Sequence, residues 1–375
     1  MTVAGLAEIV ARSTRRAPLS RGAVCVVNAG ATGDGVAQAG RLAYDAVAHI
    51  TGRDPVLVDL AAPFPAPVSH AARARFYARL VAAQTVAGAD WLVFNHIGIA
   101  VAQLRVPRPW RRPYALMAHG IEVWDPRLEE SRKEVMRRAA LVIASSRHTE
   151  SRLAEAYPEL TRLVPCPLAL VPDEPIAISD PGPIAPLSVV IVGRMSAAER
   201  YKGHDELIAA WPSVLAQHPE ARLVCIGRGD DVERLRSDAA AAGVGHAVRF
   251  PGFLSEADLE GVLRRAAVFA MPSRGEGFGF VYLQAMRAGL PCVGCERDAA
   301  ADIIMHGETG FLVPPRDVPA LAASIVQLLA SPSLRQRLGA AGLRRLRAEY
   351  TLAAYVERLR PLLERLNGVG RERPR

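Results

Sequence analysis

Cysteine, aromatic residues, long apolar runs and a strong excess of either charge are all scarce in this 375-residue chain, and each scarcity excludes something. The five cysteines, Cys25, Cys166, Cys225, Cys292 and Cys295, are odd in number and widely spread, several inside β-branched runs where free thiols usually lie buried. A disulfide scaffold is excluded, and a reducing cytoplasm is the expected setting. Cys292 and Cys295 form a CxxC, but without a second pair or a nearby histidine cluster the spacing does not amount to a metal site. No uninterrupted apolar stretch approaches the roughly 18 residues that span a bilayer. Even WLVFNHIGIAVAQL is broken by Asn95, His96 and Gln103. The opening stretch MTVAGLAEIVARSTRRAPLSR carries Glu8 in its apolar part and lacks a basic leader followed by a long apolar core, so a secretory signal is not expected. Arg15 and Arg16 hint at a twin-arginine signal, but the run after them holds Arg21 and Asn28 and reads as a first strand.

Lys and Arg number 46 against 38 Asp and Glu, a net +8 carried mostly by Arg, including RPWRRP at 108–113. With 6% aromatics and no long basic run, the pattern of a nucleic-acid platform is missing, and no nucleic-acid partner is expected. The surplus suits a solvated surface, and equally attraction to an anionic substrate or to the anionic inner face of a membrane.

What is present is alternation. Apolar β-type runs and amphipathic helical stretches take turns along most of the chain, the pattern of parallel sheets built from strand, helix, strand units. In the first half strands are expected in VCVVNAG, PVLVDLA, WLVFNHI, YALMAH and LVIASS. Helices fall between them, among them EESRKEVMRRAA, with its acids early and its bases late as the helix dipole prefers. From Val164 to Leu187 the prolines Pro165, Pro167, Pro172, Pro175, Pro181, Pro183 and Pro186 leave no room for a regular element, which marks an interdomain linker. The alternation resumes with LSVVIVGRM, HDELIAAWPSVLAQ, RLVCIGRG, DVERLRSDAAAAG, AVRFPGF, SEADLEGVLRRAA, VFAMPS, FVYLQAMRAG and PCVGC. Ser255 with Asp258 three residues on marks a helix start. From about Val318 the chain reads as helical, with breaks at Pro332 and near Tyr350. The expected fold is α/β, with two doubly wound Rossmann-like domains and C-terminal helices: 1–170, a linker at 171–187, 188–346, and a helix with basic tail at 347–375 that packs back towards the first domain.

In such sheets ligands bind beyond the carboxyl ends of the strands, so four loops hold the candidates. NAGATGDGVAQAG has Gly30, Gly33 and Gly35 but fails the dinucleotide fingerprint at Gln38, which leaves a structural turn or an anion loop. GRMSAAERYKGHDEL places Arg194 just after Gly193 and a buried strand, and Lys202 just before a helix. Two fixed cations there suit a diphosphate, though each could be a solvated surface charge. In GRGDD, Asp230 and Asp231 are either ligands or acids of a helix N-terminus. In PSRGEGFGFVYLQAMRAGLPCVG a strand ends at Pro272, glycines surround Glu276, and a helix starts near Phe278, so amides and a helix dipole face whatever Glu276 touches. Gln284 lies within about two turns of that loop.

Arg194 and Lys202 in GRMSAAERYKGHDEL, then PGFLSEADL, MPSRGEGFGFVYLQAMRAGLP and HGETGFLVPP, in this order and spacing, resemble the C-terminal domain of the retaining GT-B glycosyltransferases of family four, the group-one transferases. The resemblance covers roughly residues 188–346; the first half matches in layout and a few loops, as an acceptor-binding domain would. It implies transfer of a hexose, from a GDP-mannose or UDP-glucose type donor held between the domains, to a hydroxyl of a glycan or lipid-linked acceptor. Retention of configuration is implied, with no metal and no cofactor, in the cytoplasm or peripherally at the inner membrane face. Carried over, Arg194 and Lys202 hold the diphosphate, Glu276 contacts donor-sugar hydroxyls, and Gly277, Phe278 and Gly279 offer backbone amides. Gln284 replaces the family's second glutamate, which binds ribose. AHGIEVW resembles the loop with a histidine near the donor sugar, here His119, followed by Glu122, and Gly33 and Gly35 correspond to the loop beside acceptor and diphosphate. Arg200 rivals for one phosphate contact, and His96 is a pocket-rim candidate. A non-catalytic sugar-nucleotide binding protein is the alternative.

Overall fold

The computed structural model describes residues 19–31, 35–61, 68–125, 127–172 and 185–371. Two six-stranded, all-parallel sheets organise them. The first contains β1 (Gly22–Val27), β2 (Val56–Leu60), β3 (Trp91–Phe94), β4 (Tyr114–Ala118), β5 (Leu141–Ala144) and β6 (Leu163–Pro165), in the order β2-β1-β3-β4-β5-β6. Its helices are α1 (Gly35–Thr51), α2 (His70–Thr85), the short α3 (Ile97–Ala100) and α4 (Ile121–Trp124), α5 (Glu130–Arg138) and α6 (Arg147–Ala156). The second sheet contains β7 (Ser188–Val192), β8 (Arg222–Ile226), β9 (Val248–Gly252), β10 (Val268–Met271), β11 (Cys292–Cys295) and β12 (Gly310–Val313), in the order β12-β11-β10-β7-β8-β9. Helices α7 (His204–Gln217), α8 (Val232–Ala241), α9 (Glu256–Arg265), α10 (Phe280–Arg287) and α11 (Ala300–Ile303) connect it. Then follow α12 (Val318–Ala330), α13 (Pro332–Glu349) and α14 (Leu352–Arg371).

The inner strands are buried at every position because helices cover both faces, which is why they read as unbroken apolar runs. Ser255 caps α9 as its spacing predicts: its Oγ accepts the Asp258 N–H at 3.1 Å and donates to the Asp258 carboxylate at 2.7 Å. In the proline-rich stretch, Val164 and Pro165 do form part of a regular element, since β6 pairs with β5 through Val142↔Leu163, Ile143↔Val164 and Ala144↔Pro165. An edge strand tolerates the missing N–H of Pro165. The helix expected near Phe278 begins at Phe280 instead, because Gly279 turns the chain at φ 91° before it.

The last helix returns to the first sheet. Leu359, Leu363 and Leu366 of α14 join a core that includes Leu42, Val47 and Ile50 of α1, and Ser20 donates its backbone N–H to Asn367 Oδ1 at 3.1 Å. No single described helix is long and apolar enough to cross a membrane.

Each sheet reverses direction once. The chain steps from β1 to β2 on one side and then to β3 on the other; likewise β8 and β10 flank β7. At such a switch point adjacent loops leave in opposite directions and open a crevice beyond the strand ends. The second crevice therefore lies between the loops after β7 and β10, which carry Arg194 and Glu276. The first lies between the loops after β1 and β3, which carry Gly35 and His96.

Candidate functional site

After β7 the backbone stays tied to the strand beside it, Gly193 N–H to Ile226 O at 3.0 Å and Met195 N–H to Arg228 O at 3.1 Å. This fixes Arg194 at the mouth of the sheet, with its side chain 59% exposed and one guanidinium nitrogen 2.5 Å from Glu199 Oε1. A guanidinium is planar with five N–H donors, a shape that suits an anion such as a phosphate. The chain then makes a short helical turn, Ala197–Lys202, and enters α7. Lys202 reaches across to the β10 loop, where its Nζ lies 2.8 Å from Glu276 Oε2. Burial disfavours the ammonium, but the Glu276 charge and hydrogen bond outweigh it, so Lys202 is held above its ordinary value and stays charged. Lys202, 74 residues from Glu276 in the chain, is thus its direct partner.

The β10 loop is itself built on fixed contacts. Arg274 N–H bonds to Tyr201 O at 2.9 Å, Glu276 N–H to Asp298 Oδ1 at 2.8 Å, and Tyr282 OH to Met271 O at 2.5 Å. With Oε2 on Lys202, Glu276 has Oε1 left for a ligand hydroxyl. The Phe278 ring is buried against Phe280 and Tyr350, so only its backbone can serve a ligand. Gln284, half-buried on α10, is one turn below Phe280 on the same helix face, and its amide has no hydrogen bond among the described residues.

The first domain meets this loop at Gly277. A Cβ there would sit 1.4 Å from His119 O and 2.8 Å from Gly120 Cα, so only glycine fits between the two backbones. Gly277 O accepts hydroxyls from Ser146 at 2.6 Å, Thr149 at 2.9 Å and Ser145 at 3.3 Å, all buried at the start of α6. Nearby, His148 N–H bonds to Asp302 Oδ2 at 2.9 Å. His119 thus lies against the residue next to Glu276. Its Nε2 is 2.7 Å from the Asn95 carbonyl, so Nε2 carries the proton and Nδ1 faces elsewhere. Glu122 Oε1 accepts the N–H groups of His119 and Gly120 at 2.7 and 3.1 Å, which gives Glu122 the work of holding the loop.

At the other crevice, a Cβ on Gly35 would be 3.7 Å from the Phe280 ring, so the N-termini of α1 and α10 face each other. Arg41 steadies the preceding loop by donating to Ala29 O and Ala31 O at 2.8 and 2.6 Å. Gly33 lies outside the described residues. Two residues resolve differently from their loop positions. Arg200 forks onto Asp231 at 2.9 and 3.0 Å. His96 caps α3, its Nδ1 accepting the Gly98 N–H at 3.0 Å. Asp231, gripped by Arg200 and Arg234, and Asp230, which accepts the Ala197 N–H at 3.0 Å, are scaffold. Ser145, Ser146, Thr149 and Asp298 were not foreseen; Ser146 shows only an ordinary helix-cap signal.

Two Rossmann-like sheets facing a cleft, with C-terminal helices recrossing to the first, define the GT-B fold. The sucrose-phosphate synthase of Thermosynechococcus elongatus superposes with a TM-score of 0.76 at 20% identity, over 93% of this chain and all of that one. Anabaena HepE, solved with UDP and glucose, gives 0.71 at 18% identity over 91% and 99%. Residues 186–331, the second domain, match the family model Glycosyl transferases group 1. Among relatives in sequence, the phosphatidyl-myo-inositol mannosyltransferase of Mycobacterium leprae is 39% identical over 41% of this chain and 40% of its own length. The GDP-mannose-dependent alpha-(1-6)-phosphatidylinositol monomannoside mannosyltransferase of Mycobacterium tuberculosis is 32% identical over 63% and 66%. The chain therefore spans less than two thirds of the curated relatives it matches.

Proposed function

We propose that this protein transfers a hexose, mannose from GDP-mannose in the first instance, to a hydroxyl of a lipid-linked or glycan acceptor, with retention of configuration and without a metal. The observation that carries the reading is the Lys202–Glu276 pair beside Arg194 at the switch point of the second sheet. A sugar diphosphate needs cations at one end and hydroxyl acceptors at the other, and this cluster offers both within one crevice. Lys202, kept charged by Glu276, and Arg194 would hold the diphosphate. They would also stabilise the charge that grows on it as the glycosidic bond breaks, an electrostatic effect typically worth ~2.7 to 4 kcal/mol per donor. Glu276 Oε1 would receive sugar hydroxyls, and His119 would border the sugar from the other domain. Gln284 would reach the ribose. The mannosyltransferase relatives, whose names specify GDP-mannose and phosphatidylinositol-type acceptors, support the donor and acceptor classes. A lipid-linked acceptor would bring the protein to the cytoplasmic face of a membrane.

The test is to incubate the purified protein with GDP-mannose or UDP-glucose together with phosphoinositide-containing vesicles, and to assign the anomeric configuration of the product by NMR. Transfer from GDP-mannose with retention is expected. Binding of GDP-mannose with no turnover on any acceptor would favour a sugar-nucleotide binding protein, and absence of binding to either donor would overturn the proposal.

A further inference from the structure

The chemistry just proposed leaves Asp298 unused, although it stands directly behind Glu276. It follows β11, is fully buried, and accepts the Glu276 N–H at 2.8 Å through Oδ1. Buried Ser273 donates its hydroxyl to the same carboxyl, the Ala299 N–H is a further donor, and Ser273 Oγ accepts the Gly275 N–H at 3.3 Å. Oδ2 is sealed from solvent and has no partner among the described residues. The carboxyl cannot touch a ligand in this arrangement, yet it gathers the backbone of the loop that presents Glu276. We propose that Asp298 is a positioning residue for donor recognition, holding the Gly275–Glu276 backbone through the Glu276 amide and Ser273 so that the Glu276 carboxylate meets the donor sugar. The inference rests on the donor role proposed for Glu276.

Its protonation state follows from its setting. Burial first, and the Glu276 charge second, push Asp298 up to about 8, against the hydrogen bonds it accepts. The other titratable groups facing it are Glu276 on the loop, Tyr282 on α10 and Cys295 at the end of β11, with Lys202 beyond Glu276 and with Arg274 and Glu296 beside Cys295. Tyr282 and Cys295 are both pushed up by burial, so Asp298 ionises before either. Ionisation places a second negative charge behind Glu276 and loosens donor binding. Between the carboxylate's ordinary range and about 8 the unfolded chain has released this proton while the folded one keeps it, so wild-type stability falls as pH rises through that window.

Asp298→Ala and Ser273→Ala should each raise the KM for GDP-mannose at pH 7 at least tenfold, with a smaller change in kcat. The affinity for GDP alone, which lacks the sugar, should hold. Asp298→Asn keeps an acceptor for the Glu276 amide and should recover most of the loss. The wild type should lose kcat/KM above pH 8, roughly tenfold per pH unit, and Asp298→Asn should abolish that fall. Independently of activity, the Tm of Asp298→Asn relative to wild type should climb from pH 5 to pH 8. An unchanged donor KM in Asp298→Ala, the same alkaline fall in Asp298→Asn, or a Tm difference that does not vary with pH would each overturn the proposal while the transferase reading stood. A wild type that binds no sugar nucleotide would overturn both.

Discussion

Gly277→Ala is the sharpest probe of the seam between the two domains. The φ of Gly277 lies outside the left-handed region, so its own backbone accepts alanine and the second domain should fold normally. The obstacle is on the other side: the added Cβ would stand 1.4 Å from His119 O. The Cβ is fixed in place by its own backbone and His119 O is backbone, so neither can rotate away, and the domains must part by roughly 1.6 Å or more to reach a tolerable contact. Three buried hydroxyls, on Ser145, Ser146 and Thr149, then lose the Gly277 carbonyl. Ser145 keeps its equal contact with His119 O, so two bonds at ~1 kcal/mol net each are lost and the closed arrangement weakens by about 2 kcal/mol, roughly thirtyfold in the population competent for transfer. Steady-state transfer should fall by about that factor in kcat/KM. GDP affinity by titration calorimetry should change little, because Arg194 and Lys202 lie on the second domain alone. Ser146→Ala, which removes one of the three bonds, should cost about fivefold. A Gly277→Ala protein within threefold of wild-type kcat/KM would refute the reasoning, since the seam would then play no part in the active arrangement.

Lys202→Ala and Arg194→Ala should each lower kcat about a hundredfold or more, far more than they perturb folding; a loss under threefold would remove that residue from the site. Transfer should survive exhaustive treatment with EDTA, and abolition with rescue by manganese or magnesium would count against neutralisation of the diphosphate by Arg194 and Lys202. Gln284→Glu should tighten donor binding by on the order of 1 kcal/mol, roughly fivefold, with little change in rate at saturation, because charged acceptors form the stronger hydrogen bonds. An unchanged dissociation constant would mean that Gln284 does not touch the ribose.

How much of this was legible in the sequence depends on which atoms carry the information. The strands were visible because parallel sheets bury both faces, and Arg194, Lys202 and Glu276 were visible because side-chain charges next to strand ends stand out. The short edge strands were not: β6 shares its residues with a proline-rich stretch, and β12 has four residues, two of them only half-buried. Asp298, in CERDAAAD, looks like any acid before a helix; what sets it apart is burial, which comes from the loop folded over it. The interdomain seam was hidden for a deeper reason. Its key acceptors are main-chain carbonyls, Gly277 O for the three hydroxyls and, within the first domain, Asn95 O holding His119 Nε2, and every residue has a carbonyl. Any residue with the right backbone path could supply those acceptors, so no spacing of residue types announces them. The proposed donor crevice, which would have to neutralise a diphosphate, requires particular side chains at particular strand ends and so leaves a signature. The first domain contributes to this seam mostly through backbone placement and small hydroxyls, which explains why the family pattern is strong after residue 186 and reduced before it to layout and a few loops.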